Sequence, residues 1–434
     1  MNGRGFAWWE VVSAAVSAGM DLNEHYRLLL GLNGEWTVSD VNLDIARRRV
    51  DIYLAHASDG AECPECHRRC PLHDHAPERT WRHLDTMQFE TVLHASPPRP
   101  ECPEHGVKTA EVPWAGKHAR FTWLFEAFAI EVIRACRTIR DAESLLRLDW
   151  HVIQQIMERA VGRGLARRGH EDIDWVGIDE KSFLKDRRFA TLVTDIEGQR
   201  VLDVAEGRSA ESAETVLGKA LTPAQREMVC GAAMDLSAPF KKAVKKMLPN
   251  ADIVLDRFHV SQLLGDAVDA VRRQEARRLQ RAHDKRLAKT RYLWLKPMEH
   301  LTPECEANLR DLLKMGFEVG KAWSVKEAFR NFWNRRSKAF AESFFRMWHR
   351  EALKTALRPV VKVANTLKSN LRYLLNYYDS FISNALTEGF NSKIQAMKAD
   401  ARGYRNFAHY RTCILFFCGG LNLLPALPHL RLSH

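Results

Sequence analysis

The 434-residue sequence lacks any apolar run long enough to cross a membrane. Acidic side chains are in the minority. The sequence has 54 Asp and Glu but 65 Lys and Arg, which gives a formal charge of +11. This balance disfavours anchoring to a membrane and favours a polyanionic partner such as nucleic acid. The chain is long enough for two or three domains, each with its own core.

We expect no secretory signal, because Glu10 interrupts the N-terminal apolar run Phe6–Val12. We therefore expect a cytoplasmic protein. Cysteine is scarce outside one region: of nine cysteines, four lie between residues 63 and 102. Such clustering is typical of a metal site rather than of a disulfide framework.

Two short hooks in this region predict a zinc site. The first is Cys63-Pro64-Glu65-Cys66 and the second is Cys102-Pro103-Glu104-His105. Two ligands separated by two residues can point at one ion, and thiolate and imidazole donors suit Zn²⁺. Competing ligands are Cys70, His67 and His73, and the alternative is a set of buried thiols beside a surface histidine. Strand-like stretches at 50–54 and 89–93 indicate a small ribbon-like domain within residues 1–115.

Residues 116–168 have a helical pattern. Apolar residues recur at three- and four-residue spacing from Phe121, and two shorter helices are predicted at 139–146 and 152–161. The last two resemble a helix-turn-helix, a fold in which the second helix enters the major groove of DNA. We expect base and phosphate contacts from residues on that helix, namely Gln154, Gln155, Arg159 and Arg163. A three-helix linker without DNA contacts is an equally good explanation of the pattern.

The chain then becomes strand-rich and predicts an α/β domain in the order βββαβαβ. Short apolar runs separated by turns indicate strands at 175–179, 189–194, 201–205, 228–235 and 253–256, and helices at 210–221 and 239–248. This order matches a ribonuclease-H-like layout. It places Asp179 on the first strand and Asp235 at the end of the fourth, so that the two carboxylates become neighbours.

A third acid, Glu388, lies near the C-terminus. Burying a carboxylate is costly, and a divalent cation can compensate several that converge. We expect two Mg²⁺ or Mn²⁺ ions about 4 Å apart, held by Asp179, Asp235 and Glu388 for phosphoryl transfer. The alternative is that each acid is a helix cap or a solvated turn residue.

The motifs together resemble a bacterial insertion-sequence transposase of the ISL3 type, in the DDE superfamily. They are the zinc hooks, the helix-turn-helix, and the segments at 177–180, 235–240, 256–260 and 388–394. The resemblance implies cleavage and joining of DNA strands at terminal inverted repeats, with Asp179, Asp235 and Glu388 as metal ligands. Asp256 and His259 resemble an auxiliary motif of related transposases, which implies a role in orienting DNA or in bracing a helix. One assignment stays open, because Asp256 also ends a predicted strand, and topology favours Asp235 as the second acid since it ends the strand expected beside the first. The alternative for His259 is a structural, hydrogen-bonding histidine.

The segment between Asp256 and Glu388 is too long for a single connection in a compact domain. Its helices are rich in Arg and Lys and include a long one expected at 351–363. We therefore expect a helical insertion at 261–375 between two parts of the catalytic domain, 169–260 and 376–434. DNA contacts are expected from Arg272, Arg335 and Lys393. The four tryptophans of the insertion could stack on bases but are expected mostly to pack.

We therefore expect a DNA transposase that acts as a homodimer or larger assembly on double-stranded DNA, in the bacterial cytoplasm with the nucleoid. Two alternatives remain. A domesticated DNA-binding regulator would share the scaffold, although the intact acids argue against it. A structure-specific nuclease would cleave DNA without joining it.

Overall fold

The computed structural model describes residues 21–426 except 33, 137, 170, 185–187, 383–384 and 402, and it leaves out the side chains of 184 and 385–388. The N-terminal run Phe6–Val12 lies outside the described residues. No described helix is long and apolar enough to span a membrane. The chain forms two compact units. One ends at Arg167 and also includes the segment from Asn422, and the other is Arg168–Leu421. Because these units are coarser than the predicted four-part division, that division remains a prediction.

The first unit begins with helix α1 (Leu22–Leu29) and contains two small sheets. The first sheet has the order β1-β2-β6-β5 and the second has the order β3-β4-β7-β8. Their strands are β1 (Trp36–Asp44), β2 (Arg49–His56), β3 (Gly60–Glu62), β4 (Arg69–His75), β5 (Arg79–Thr86), β6 (Phe89–Ala95), β7 (Pro98–Cys102) and β8 (Gly106–Val107). Three buried indole rings, from Trp36, Trp81 and Trp114, pack edge to face in the core of the first sheet.

Three helices follow in the same unit: α2 (Trp123–Ala135), α3 (Ile139–Leu146) and α4 (Trp150–Ala166). Each begins at a side chain that accepts a backbone N–H of the first turn. Thr122 caps α2, Thr138 caps α3 in a reciprocal pair with Asp141, and Asp149 caps α4. The three predicted helices are thus present, and local capping explains where they start.

The second unit contains a five-stranded sheet of order β11-β10-β9-β12-β13. Its strands are β9 (Trp175–Leu184), β10 (Arg188–Asp195), β11 (Arg200–Glu206), β12 (Gly231–Met234) and β13 (Asp252–Leu255), with helices α5 (Ala210–Ala220), α6 (Pro223–Met228) and α7 (Ala238–Met247) between the later ones. Strands β9, β10 and β11 pair antiparallel, whereas β12 is parallel to both β9 and β13. This is the predicted α/β arrangement.

One predicted boundary in this unit is wrong. The strand expected at 228–235 is shorter, because residues 223–228 form α6. Thr222 and Gln225 cap this helix reciprocally, and Pro223 occupies its first turn, where its missing N–H has no cost. Strand pairing consequently begins at Gly231.

After β13 the second unit is helical. The helices are α8 (Arg257–Arg281), α9 (Arg291–Leu295), α10 (Pro303–Lys314), α11 (Glu318–Arg330), α12 (Lys338–Lys354), α13 (Arg358–Ser369), α14 (Leu371–Leu375), α15 (Tyr377–Ser380), α16 (Ala385–Asp400) and α17 (Phe407–Cys418), with a 3₁₀ turn at Met298–His300. The helix expected across 351–363 is broken, since Ala356 has a φ of 53° and Pro359 lies in the first turn of a new helix, α13. The tryptophans at 294, 323, 333 and 348 are buried, so they pack in the core and are not available for base stacking.

Candidate active site and metal centre

Strand pairing brings three aspartates together at one end of the sheet. The last residue of β12, Met234, pairs with the residue before Asp179 on β9 and with the residue before Asp256 on β13. Asp235 follows Met234 directly. Asp179 therefore lies on β9 at the level at which Asp235 and Asp256 follow the ends of the neighbouring strands β12 and β13. Asp179 and Asp256 are only 2% and 5% exposed. The predicted proximity of Asp179 and Asp235 therefore follows from the register of the parallel strands.

His259 lies between two of these carboxylates. Its Nε2 is 3.8 Å from Oδ1 of Asp179 and 3.7 Å from Oδ2 of Asp256. Asp256 also caps α8, because its Oδ1 accepts the N–H of Phe258 at 3.0 Å. Capping fixes the first turn of α8 and thereby the position of His259 over the acidic cluster.

The site disfavours the ionised form of two carboxyl groups, those of Asp235 and Glu180. Burial raises the pKa of Asp235, and the charge of Asp179 raises it further. The hydrogen bond from the Ser237 N–H and the charge of His259 lower it, but the net shift is upward. Burial also raises the pKa of Glu180, and repulsion from Asp235 adds to this effect. Desolvated carboxylates that repel one another are an environment in which a cation compensates the local charge.

Two polar side chains contact Asp179 that the sequence analysis did not single out. Asn391 on α16 donates Nδ2 to Oδ2 of Asp179 at 2.7 Å, and Lys181 Nζ lies 3.2 Å from the same oxygen. The other side-chain atom of Asn391, Oδ1, is buried without a hydrogen-bond partner among the described residues. An unsatisfied amide oxygen on a residue that contacts the Asp179 carboxylate matches the hard donor set that Mg²⁺ or Mn²⁺ takes. One sign of this contact was visible in the sequence. Asn391 follows Glu388 by three residues, which is about one turn of a helix.

Glu388 itself lies on α16, but its side chain is outside the described part of the chain. A cleft of about 590 Å³ opens beside Asp235 and is also lined by Glu180, Arg208 and His259. The guanidinium of Arg208 lies 3.9 Å from Glu180 and stacks on the ring of Phe189 at 4.2 Å. This cleft opens beside the acidic cluster.

The zinc hooks converge in the first unit. One ligand atom from each of Cys63, Cys66, Cys102 and His105 lies within 4.8 Å of all the others. Sγ of Cys66 is 3.7 Å from Sγ of Cys102, and His105 Nδ1 is 3.5 Å from Cys102 Sγ and 3.8 Å from Cys63 Sγ. A tetrahedron with Zn–S bonds of about 2.3 Å has S···S edges of about 3.8 Å. The donor atoms therefore fit Zn²⁺ in both chemistry and spacing.

The thiols of the cluster differ in acidity. The pKa of Cys102 falls to about 6, because N–H groups of Glu104 and His105 and the His105 ring stabilise its thiolate against the effect of burial. Cys70 was a competing ligand in the sequence. Its Sγ lies 3.5 Å from the carbonyl oxygen of Arg68, and it is not part of the four-residue cluster.

Four residues of α4 were expected to contact DNA, and two of them are the glutamines Gln154 and Gln155. Gln155 is exposed, whereas Gln154 is 3% exposed and donates Nε2 to Glu158 at 3.1 Å. The expectation of a base contact from Gln154 is therefore not met. The exposed face of α4 includes His151, Gln155, Glu158 and Gly162.

Arg159 and Arg163 form an internal ion-pair network. Nη2 of Arg159 lies 2.9 Å from Glu126 of α2, and Nη1 of Arg163 lies 2.7 Å from the same buried carboxylate. Arg163 also donates to the carbonyl oxygen of Leu423. Both arginines consequently compensate a buried charge, and their role as free phosphate contacts is not supported.

The other expected DNA contacts are also partly engaged. Arg272 is paired with Asp269 at 2.8 Å with its side chain 13% exposed. Arg335 lies over the ring of Phe344 at 4.3 Å, and exposed Lys393 donates to the carbonyl oxygen of Phe417 at 2.7 Å. On α8 and the loop that follows it, four cations are exposed and form no ion pair among the described residues: Arg277, Arg281, Lys285 and Lys289.

Comparison with known families places these features. The family described as transposase, of the ISL3 type, matches residues 176–414, which is more than half of the chain. The chain belongs to the ISL3 transposase family. The zinc-finger family of transposases IS204/IS1001/IS1096/IS1165 matches residues 59–105, and the helix-turn-helix domain of transposase family ISL3 matches residues 110–161.

Named relatives agree with this assignment. The transposase for insertion sequence element IS1001 of Bordetella parapertussis is 24% identical over 367 residues, covering 84% of this chain and 90% of the relative. The transposase for IS1557 of Mycobacterium tuberculosis is 26% identical over 420 residues, covering 88% and 92%. The ISL3 transposase is thus a DNA-binding and DNA-cleaving enzyme with a structural zinc ribbon, as the sequence predicted.

Proposed function

We propose that this ISL3 transposase cuts DNA at the terminal inverted repeats of an insertion sequence and joins the ends to target DNA, with Asp179, Asp235 and Glu388 as ligands of two Mg²⁺ or Mn²⁺ ions. The strand register between β9 and β12 is the observation that carries the proposal, since it makes the first two acids neighbours. When bound, such ions activate an attacking water or 3′ hydroxyl and stabilise the leaving oxygen.

The position of Glu388 is supported indirectly. Residues three apart in an α-helix share one face, and Asn391 of the same helix contacts Asp179. Position 388 lies one helical turn before Asn391 on α16, which supports Glu388 as the third ligand. All three acids lie inside the matched transposase segment.

Asp256 and His259 are assigned a positioning role. Asp256 fixes the start of α8, and the His259 ring lies between the carboxylates of Asp179 and Asp256. In the first unit, Cys63, Cys66, Cys102 and His105 are the proposed ligands of one structural Zn²⁺. Gln155 and its exposed neighbours on α4 are the proposed base-reading residues, and the exposed cations of the second unit are the proposed phosphate contacts.

The proposed assembly is a homodimer or larger homo-oligomer, because a transposition event must hold two element ends. Its expected location is the bacterial cytoplasm, in association with the nucleoid. A nuclease that cuts without joining is the remaining alternative, and the products of the reaction distinguish it from a transposase.

The test is a cleavage and joining assay with the full chain, Mg²⁺ and a labelled duplex that carries the element's own end. Asp179→Asn, Asp235→Asn and Glu388→Gln should each lower cleavage more than about 100-fold, because even groups that only orient metal ligands are worth 10–100-fold. Binding of the duplex should be nearly unchanged. Asp172→Asn, at an exposed carboxylate before β9, is the matched control and should cut normally.

Normal cleavage by Asp235→Asn together with loss in Asp256→Asn would move the second ligand to Asp256. Cleavage products without any joined strands would favour the nuclease.

A further inference from the structure

Three cations surround one buried phenol in the second unit. The guanidinium carbon of Arg372 lies 4.3 Å from the ring centroid of Tyr373, and Nζ of Lys241 and of Lys245 each lie 5.8 Å from it. Arg372 also donates to the Tyr373 hydroxyl. We name these four residues the Tyr373 cluster. Lysines at 241 and 245 occupy successive turns of α7, so both point to the same side.

The cluster has little compensating negative charge. None of its three cations forms an ion pair with a carboxylate among the described residues, and the hydrogen bond of Lys241 is with a neutral group, Oδ1 of Asn370 at 2.6 Å. Burial lowers the pKa of Lys241, and the charges of Lys245 and Arg372 oppose its protonation further. Cations gathered at this density, with no carboxylate partner among the described residues, provide the complement of a bound anion.

The pKa of the phenol is lowered as well. Burial disfavours its ionisation, but hydrogen bonds from Arg372 and Lys245 and their charges outweigh burial and lower the pKa of Tyr373. Both the lysine and the tyrosine therefore experience a positive local field. Arg372 and Lys245 are exposed, so a ligand can reach this field from solvent.

The cluster adjoins the candidate active site through α7. Ser237, the cap of this helix, donates its N–H to Asp235, and Lys241 follows one turn later. The charge of Asp235 acts on Lys241 at longer range. Any anion held by the cluster is consequently close to the acidic group where DNA would be cut.

We propose that the Tyr373 cluster binds a backbone phosphate of the DNA strand beside the scissile position. This inference rests on the proposed function, because it takes the neighbouring acids to be the cutting site. Arg372 offers the planar fork that fits phosphate oxygens, and the two lysines add charge without requiring one geometry. The cluster would hold the strand in register while the acids act on the adjacent phosphate.

The test measures DNA binding by the full chain in chelator, so that no cutting occurs, at several salt concentrations. The variant is Lys245→Gln with Arg372→Gln. The matched control is Lys242→Gln with Lys368→Gln, which removes the same charge from exposed positions on α7 and α13. Removing one phosphate interaction lowers the salt slope of log K by about 0.9. We expect that change and a loss of affinity of about tenfold in the cluster variant alone.

Equal changes in the two double variants would overturn the proposal, because general electrostatics would then explain both. If the double variant folds poorly by circular dichroism, exposed Lys245→Gln is compared with Lys242→Gln in the same way. Free inorganic phosphate is the other possible ligand of the cluster. If the cluster variant lost binding of inorganic phosphate but kept the DNA affinity of the wild type, the DNA assignment would be contradicted.

This experiment is separable from the catalytic proposal. An unchanged salt slope in the cluster variant would contradict the proposed phosphate site. It would not bear on the metal-ligand assignment, which the cutting assay of Asp179→Asn tests. Normal cutting by Asp179→Asn, in turn, removes the metal-ligand assignment and leaves the binding data of the cluster intact.

Discussion

The side-chain amide of Asn391 lies 2.7 Å from the carboxylate of Asp179, although 212 positions separate them in the chain. This hydrogen bond ties α16, the helix that carries Glu388, to the first strand of the sheet. The same amide leaves its oxygen buried and unsatisfied among the described residues. Asn391 therefore both positions a carboxylate and offers a further oxygen to the site.

We predict that Asn391→Ala lowers DNA cleavage by about 10–100-fold, as expected for a group that orients a metal ligand. DNA binding should not change, and a higher Mg²⁺ concentration should restore part of the rate. Gln395→Ala, at an exposed position one turn later on α16, is the control. An Asn391→Ala rate equal to that of the control would mean that the hydrogen bond is only structural.

A second prediction follows from the raised pKa of Asp235. A carboxyl whose pKa is higher in the folded than in the unfolded protein contributes stability at low pH, and this contribution disappears as pH rises through the folded pKa. In chelator near neutral pH, Asp235→Asn should melt at a higher temperature than the wild type. The gain should shrink as the pH is lowered toward the ordinary value of 3.8.

Added Mg²⁺ should raise the melting temperature of the wild type but not that of Asp235→Asn, because only a protein that binds the ion is stabilised by it. Asp172→Asn, at an exposed carboxylate outside the acidic cluster, serves again as the control. A lower melting temperature for Asp235→Asn at every pH would contradict this electrostatic account of the site.

The zinc ribbon gives a third prediction. Cys66→Ser should abolish stoichiometric zinc in purified protein, whereas Cys70→Ser should retain it, because only Cys66 belongs to the converging donors. Structural zinc contributes on the order of 10 kcal/mol to folding, so chelation should unfold the ribbon and weaken binding of the element end. Metal analysis and a melting curve check both points, and the reverse pattern would make Cys70 the ligand.

Local patterns in the sequence were enough for most of the second unit's sheet. Short apolar runs with turns between them predicted the order of strands and helices along the chain. The ribonuclease-H-like layout that matches this order made Asp179 and Asp235 neighbours. The hydrogen bond of Asn391 with Asp179 could not be predicted in this way, because it depends on how α16 packs against a strand far away in sequence.

The DNA-binding helix shows a similar division. The buried stripe of α4, which includes Ile153, Ile156, Met157 and Val161, has Gln154 at its edge, so its burial was readable from helical spacing. The pairing of Arg159 and Arg163 with Glu126 was not readable, since it requires the packing of α2 against α4. In the same sense, Pro359 was a visible sign that the helix expected at 351–363 would break.

The last prediction separates DNA recognition from general affinity. Gln155→Ala with His151→Ala, on the exposed face of α4, should reduce discrimination of the terminal repeat by about 1–3 kcal/mol for each base that is no longer read. Arg277→Gln with Arg281→Gln, on α8, should instead weaken all duplexes together and reduce the salt slope by about 0.9 for each phosphate that is no longer neutralised.

The measurement is a competition titration of repeat against scrambled duplex at two salt concentrations. Gln154→Ala is the control on α4: because Gln154 is buried, its removal should affect the melting temperature and leave discrimination unchanged. Unchanged discrimination in the Gln155 and His151 variant would mean that α4 does not read the repeat. Recognition would then have to come from another element, and the zinc ribbon would be tested next by the same titration with Cys66→Ser.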